Sequence, residues 1–392
     1  MPTCRSLRHG LCVIAVLWAS ILMPSTARAA TPFVHETVDA TGSVGRYTSL
    51  KLDAQDNPSI SYSDATNLDL KYASRRGGVW TTETVDATGA VGTYTSLALD
   101  AAGNPRISYY DDTNDDLKFA SRSAGVWTIE TVDAGGLVGW YSSLALDSAG
   151  NPRISYYTDS TFDLKYASKS GGIWTIETVD AAAATGLYTS LVLDAQDNPR
   201  ICYFDWGNGD LRYASKSGGT WTLETVDGTA GSRGLYGSLA LDAQGNPRIS
   251  YQDQDNLDLI YASKNGGVWT IETVDAVGTV GLFTSLTLDV AGNPRISSYD
   301  ITNTDLRYAS KSGATWTIEA VDIGGDVGSH TSIALDAQGN PRISYNDSSN
   351  GDLKYTDSAV HLVSPVGGEQ WAAGSLQTVR WSGSGSVSIE LS

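Results

Sequence analysis

The chain has 392 residues and carries 44 acidic against 26 basic side chains, a formal charge of −18. That balance argues against a nucleic-acid partner, whose phosphates call for a basic patch, and against adsorption on anionic lipid. Aromatic residues make up 9% of the chain and glycine contributes 41 positions, which suits many short strands joined by tight turns.

In chain order, residues 1–29 read as a signal peptide. Arg5 and Arg8 form a basic start, residues 11–23 an apolar run too short to span a bilayer, and Ala27-Arg28-Ala29 a small-residue cleavage site. The expectation is a secreted or cell-surface protein without membrane insertion. Cys12 lacks the small residue that precedes a lipoprotein cysteine, so no lipid anchor is expected. Cleavage would remove Cys4 and Cys12 and leave Cys202 alone, without an intramolecular disulfide. Cys202 occupies a strand position where the other units place Ser, and is read as a packed small side chain rather than a reactive thiol.

From residue 33 to residue 357 a unit of 47 residues recurs seven times. Trp80, Trp127, Trp174, Trp221, Trp269 and Trp316 mark it, with Phe33 in the first Trp slot, and an Asn-Pro pair repeats at the same spacing from Asn57-Pro58 to Asn340-Pro341. A period in the forties signals a propeller or solenoid. In the second unit, residues 95–100, 105–110, 117–121 and 127–133 read as strands a to d, each short, alternating and rich in β-branched and aromatic residues. Asp-x-x-Gly-Asn-Pro joins a to b, with the glycine at a positive φ and Asp56 and Asp197 standing in for it twice; Gly-Gly joins c to d.

A repeated four-stranded antiparallel sheet is a propeller blade. Residues 33–39 form an isolated strand d, and the last unit lacks one. The prediction is therefore an all-β, seven-bladed β-propeller of four-stranded blades over residues 33–358, its ring closed by the N-terminal strand completing the last blade.

Recurring polar residues have structural readings first. The Asp that ends strand a (Asp53, Asp100, Asp147 and equivalents) accepts backbone N–H bonds two residues on. The Arg after Asn-Pro (Arg106, Arg153 and equivalents) pairs with a neighbouring Asp. Glu-Thr-Val-Asp reads as blade edge and cap. The b–c loops repeat D-x-x-N-x-D-L, as in Asp64, Asn67 and Asp69; such oxygens suit Ca²⁺, and Asx-turns explain them as well. No cofactor is expected, with Ca²⁺ kept as an alternative. No G-x-S-x-G, H-E-x-x-H, paired CxxC or phosphate-binding loop occurs.

The string S-L-A-L-D-x-x-G-N-P-R-I-S-Y-Y-D followed by D-L-K-Y-A-S resembles a repeat of exported bacterial and archaeal proteins grouped loosely with sialidase-like, BNR-type propellers. The resemblance covers residues 33–357 and implies the fold. The family's S-x-D-x-G-x-x-W box is absent, so no catalytic residue carries over. Residues 360–392, with S-P-x-G-G-E-x-W and then S-I-E-L, resemble the start of the Ser/Thr-rich immunoglobulin-like domain of cell-wall proteins, here about three of the seven strands such a sandwich needs.

Residues that break the repeat are the candidates for function. Trp140 is the sole aromatic at the position before the strand a aromatic, and Phe162 and Trp206 are exceptional in otherwise polar b–c loops. All three fall on blades three and four at one rim. Aromatic faces beside Asp and Asn suit sugar rings. The expected function is a non-catalytic module binding glycan or cell-wall material through Trp140, Phe162 and Trp206. The alternatives are a glycan-active enzyme of sialidase-like or lyase-like type, and a purely structural or adhesion module. Oligomeric state is not legible.

Overall fold

The computed structural model describes residues 33–182 and 184–358, together with two short strands, His361–Ser364 and Arg380–Ser382, that pair antiparallel. The proposed signal peptide lies outside the described residues, and so does the immunoglobulin-like segment apart from that strand pair. Twenty-eight strands form seven four-stranded antiparallel sheets, and among the described residues there is no helix. Blades one to six span residues 44–86, 91–133, 138–180, 185–227, 233–275 and 282–322. Blade seven takes strands a to c from residues 327–357 and strand d from Val34–Asp39, which pairs with Asp352–Asp357. The predicted seven-bladed ring and its closure are what the chain adopts.

Strand a departs from the sequence reading. In blade two it runs Val91–Leu99, starting four residues before the expected position, with register irregularities at Val91/Thr93 and Thr93/Ser96. The bulge puts Tyr94 at φ 52°, and the equivalent aromatic of every blade lies between 51° and 55°. A bulge re-aims a side chain, and here it turns the aromatic out of the blade. Gly92 precedes it because a Cβ there would sit 2.7 Å from Leu70 Cα of the preceding blade.

The apolar core is divided into seven clusters, each lying between adjacent blades. Leu117, Phe119 and Val132 of blade two pack with Val138, Leu144, Ile154 and Tyr156 of blade three. Each marker Trp meets a ring of the preceding blade edge-on, as in Trp174 against Phe119 at 5.5 Å, and Phe33 fills that slot against Tyr308 at 6.0 Å.

Polar bonds repeat with the same period. Leu97 N–H donates to Ser49 Oγ across the first seam (3.0 Å); the bond recurs at all seven seams and closes the ring with Leu50 N–H to Ser332 Oγ (3.0 Å). Tyr109 Oη donates to Asp86 Oδ2 (2.7 Å), and this latch is present in every blade but the sixth, where Ser298 replaces the tyrosine. The Glu-Thr-Val-Asp motif is thus an inter-blade latch as well as a cap. Its Asp takes the tyrosine, and its Glu takes the next blade's Trp N–H and basic side chain, as Glu130 does from Trp174 and Lys169, except that Glu83 takes Arg122 alone and leaves Trp127 Nε1 without a partner among the described residues.

Strand-ending Asp residues behave as predicted. Asp100 accepts N–H bonds from Ala102 (3.0 Å) and Asn104 (2.8 Å) and pairs with Arg106 (3.0 Å). The two Asp residues that replace glycine sit at φ 60° and also bridge seams, Asp197 to Ser148 N–H (2.9 Å) and Asp56 to Ala337 N–H (3.1 Å).

Candidate functional site at the channel mouth

The d–a and b–c loops share one rim, as expected: Val138 N–H donates to Asp115 O of the preceding b–c loop (3.0 Å), and Thr185 N–H to Phe162 O (2.9 Å). Trp140, Phe162 and Trp206 all lie at this rim, but differently placed. Phe162 is 48% exposed and holds a positive φ of 63°, a conformation that costs a bulky side chain some strain. Trp206 is 63% exposed and meets Phe204 edge-on at 6.1 Å. Trp140 is half-buried. It leans back onto blade two, stacked on Tyr94 (6.0 Å, 24°) and edge-on to Tyr110 (5.9 Å). Among the described residues no ring contact joins Trp140 to Phe162 or Trp206.

Through Tyr94, Trp140 is continuous with a feature that sequence reasoning missed. Tyr47, Tyr94, Tyr141, Tyr188, Tyr236, Phe283 and His330, one per blade, form a closed ring around the channel, each centroid 4.2–4.8 Å from the next. The ring and the hydroxyl residues beside it line a cavity of about 190 Å³. Burial pushes the tyrosine pKa values up, and neighbouring phenols interact from Tyr47 round to Tyr236. Burial, with the Arg46 cation adding, pushes His330 down to about 3. The ring is therefore uncharged at neutral pH. The signal in the sequence was the aromatic that recurs once per blade two residues after a glycine, from Gly45 and Tyr47 to Gly328 and His330; alternation alone does not turn it toward the axis.

The hydroxyls beneath the ring are spent on the seams. Thr95 bonds Ser61 (2.6 Å), Ser142 bonds Ser108 (2.8 Å) and Thr189 bonds Ser155 (2.7 Å). At the fourth seam Cys202 and Gly237 replace this pair, and a Cβ on Gly237 would lie 3.3 Å from the Cys202 sulfur. Cys202 is fully buried, and burial pushes its thiol up to about 12.

Trp140 Nε1 is buried without a hydrogen-bond partner among the described residues, and two hydroxyls near it are bonded to carboxylates. Tyr110 Oη donates to Asp115 Oδ1 (2.5 Å) and Thr93 Oγ1 to Asp112 Oδ2 (3.0 Å), so each bond engages one oxygen of its carboxylate. Burial, with Asp111 and Asp115 nearby, holds Asp112 above the ordinary carboxylate range despite the Thr93 bond. Elsewhere the b–c carboxylates close Asx-turns: Asp64 accepts from Thr66 N–H (3.0 Å), Asn67 N–H (3.0 Å) and Asn67 Nδ2 (2.9 Å). Among the described residues no group of three or more metal-ligating side chains converges. The Asx reading of this motif is the one the geometry shows.

No protein-family model matches the sequence, and no curated protein does. Solved structures match in fold. An ulvan lyase, described as a new polysaccharide lyase family, is 14% identical over 81% of this chain and 93% of its own, with a TM-score of 0.53. YCF48 from Cyanidioschyzon merolae is 10% identical over 82% and 98%, with a TM-score of 0.52. A fucose-specific lectin from Aleuria aurantia is 16% identical over 72% and 96%, with a TM-score of 0.49. At these identities the likeness is one of propeller architecture.

Proposed function

We propose that the protein is an exported, cell-surface or secreted, glycan-binding propeller whose primary contact is the mouth of the channel at blades two and three. The observation that carries this reading is the half-buried indole of Trp140, held on Tyr94 and Tyr110 beside Asp112 and Asp115. A sugar presents an apolar face to an aromatic ring and hydroxyl donors to carboxylates, and this corner offers both. Phe162 and Trp206, exposed further out along the same rim, are placed to meet additional residues of a longer chain.

The test is a glycan array run beside chromogenic glycosides and polysaccharide substrates. Binding without turnover, weakened by Trp140→Ala, supports the reading. Turnover that a single carboxylate substitution abolishes would replace it with an enzyme, and binding indifferent to Trp140→Ala would move the site elsewhere.

A further inference from the structure

Below the aromatic ring, the channel wall carries a second exception to the repeat. Strand a is the innermost strand and alternates, so Leu50 and Leu52 pack into the core between blades one and seven while Ser49 and Lys51 lie on the other face, Ser49 partly and Lys51 largely exposed. The residue equivalent to Lys51 is Ala98, Ala145, Val192, Ala240, Thr287 or Ala334 in the other blades. Lys51 is thus the single charge among seven equivalent positions, the other six being neutral. Its side chain is solvent-exposed on the innermost strand, and desolvation by the protein around it pushes its pKa down. Among the described residues it has no ion-pair or hydrogen-bond partner.

The wall beside it is lined with donors. Ser49 and its six equivalents each use Oγ to accept a backbone N–H from the next blade. Among the described residues none has an acceptor for its own hydroxyl hydrogen, which leaves it free to point into the lumen. The rim nearest Lys51 is formed by the a–b turns. There each strand-ending Asp is already matched by an arginine, from Asp53 with Arg76 (3.3 Å) to Asp336 with Arg342 (2.9 Å). An anion approaching from that side therefore meets turns whose strand-ending carboxylates are matched by arginines, with Asp56 and Asp197 as the further acidic side chains there. A lone cation beside low-dielectric walls concentrates its field along the lumen, and an ammonium without a partner gains from a counter-ion supplied from outside.

We propose that the lower channel is a binding site for one small oxyanion or carboxylate, held by Lys51 Nζ and the serine hydroxyls of the channel wall. It is separate from the glycan contact at the opposite mouth and stands whether or not that reading holds. Calorimetry and thermal melting at constant ionic strength would use sodium glucuronate, inorganic phosphate and, as a neutral control, glucose, on the wild type, Lys51→Ala and Lys51→Arg. Lys51→Ala installs the residue four other repeats hold, so it should fold normally.

The expected result is one anion bound per chain, a melting temperature that rises with anion in the wild type, and affinity reduced at least about tenfold in Lys51→Ala and kept in Lys51→Arg. Anion should also slow reductive methylation of Lys51, read by mass spectrometry. A response to phosphate alone identifies an inorganic oxyanion, and to glucuronate alone a carboxylate ligand; either, or both, supports the site. Equal responses in wild type and Lys51→Ala, an equal response to glucose, or no response to either anion at millimolar concentration overturns it.

Discussion

Deleting residues 33–39 should open the ring, and the structure sets the size of the effect. The strand supplies Val38 to the core at the closing seam and Phe33 to the edge of Tyr308. Glu36 accepts from Trp80 Nε1 (2.7 Å) and pairs with Arg75 (2.9 Å), and Asp39 accepts from Tyr62 Oη (2.7 Å) and from Lys71. Burial of two apolar side chains and two sets of bonds to carboxylates together amount to roughly 10 kcal/mol, which is comparable to the whole stability of a typical domain. The deletion also exposes the outer edge of Asp352–Asp357. Urea and thermal unfolding followed by tryptophan fluorescence should show loss of the cooperative transition. A permuted chain, with residues 33–39 moved by a short linker to follow Ser358, should restore it, because the pairing needs the strand and not its chain position. An unchanged transition in the deletion, or failure of the permuted chain to recover it, would refute the closure argument.

Phe162→Gly should raise stability by about 0.5–1 kcal/mol, since glycine holds a φ of 63° without strain; if Phe162 contacts glycan, the same variant should bind a long chain more weakly, which calorimetry beside melting would show. Cys202 should stay unlabelled by a thiol reagent in the folded protein and react on unfolding, and Cys202→Ser with Gly237→Thr should install the hydroxyl bond of the other seams and be more stable together than the single changes predict, by a double-mutant cycle. Asp100 and Asp116 should respond to pH with opposite sign. Burial raises Asp100, but Asn104 and Arg106 outweigh it and hold the pKa low; the folded state then binds fewer protons, so its stabilisation is complete above the ordinary carboxylate range and is lost as pH falls through the lowered value. Asp116 is raised, chiefly by burial and then by Asp111, Asp133 and Asp115 against Lys118, so Asp116→Asn should stabilise at neutral pH and lose that advantage below about pH 4.

Strand type, blade number and closure were legible because each rests on short-range chemistry that repeats. Asn-Pro and Gly-Gly fix the turns, alternation fixes the faces, and an unmatched strand d at one end answers a missing one at the other. The Asp–Arg pairs and Asx-turns were legible for the same reason, since both partners lie within seven residues, apart from Asp53, whose arginine is Arg76. What crosses a seam was not. Ser49 reads as an ordinary strand serine until Leu97 N–H of the next blade is found on its Oγ, and Asp86 reads as a cap until Tyr109 reaches it. Trp140 was found because it broke the repeat, but its lean onto Tyr94 depends on the bulge that turns every strand a aromatic toward the axis. Lys51 was overlooked because a lysine on an alternating strand reads as solvent-facing, and the solvent it faces is the enclosed lumen.

Sevenfold repetition separates stability from recognition in this fold. A bond made at every seam, such as Ser49 to Leu97, cannot select one ligand orientation, because rotation by one blade returns the same surface. Selectivity has to come from positions where the blades differ. The exceptions at Cys202 with Gly237 and at Arg233, which pairs with Asp253 where Ile260 replaces the usual basic residue, restore packing or charge within the wall. Trp140 and Lys51 are exceptions of another kind. Trp140 puts an indole against Tyr110, whose hydroxyl holds Asp115, at the open mouth, and Lys51 puts a cation on the innermost strand with no partner of its own among the described residues. Neither completes a local deficit, so a ligand supplies the natural counterpart: an apolar sugar face for the indole and an anion for the ammonium. Two sites at opposite ends of one channel would let a single ring engage two chemically different groups, and the Lys51→Ala and Trp140→Ala variants, tested against both ligands, should each lose one and keep the other.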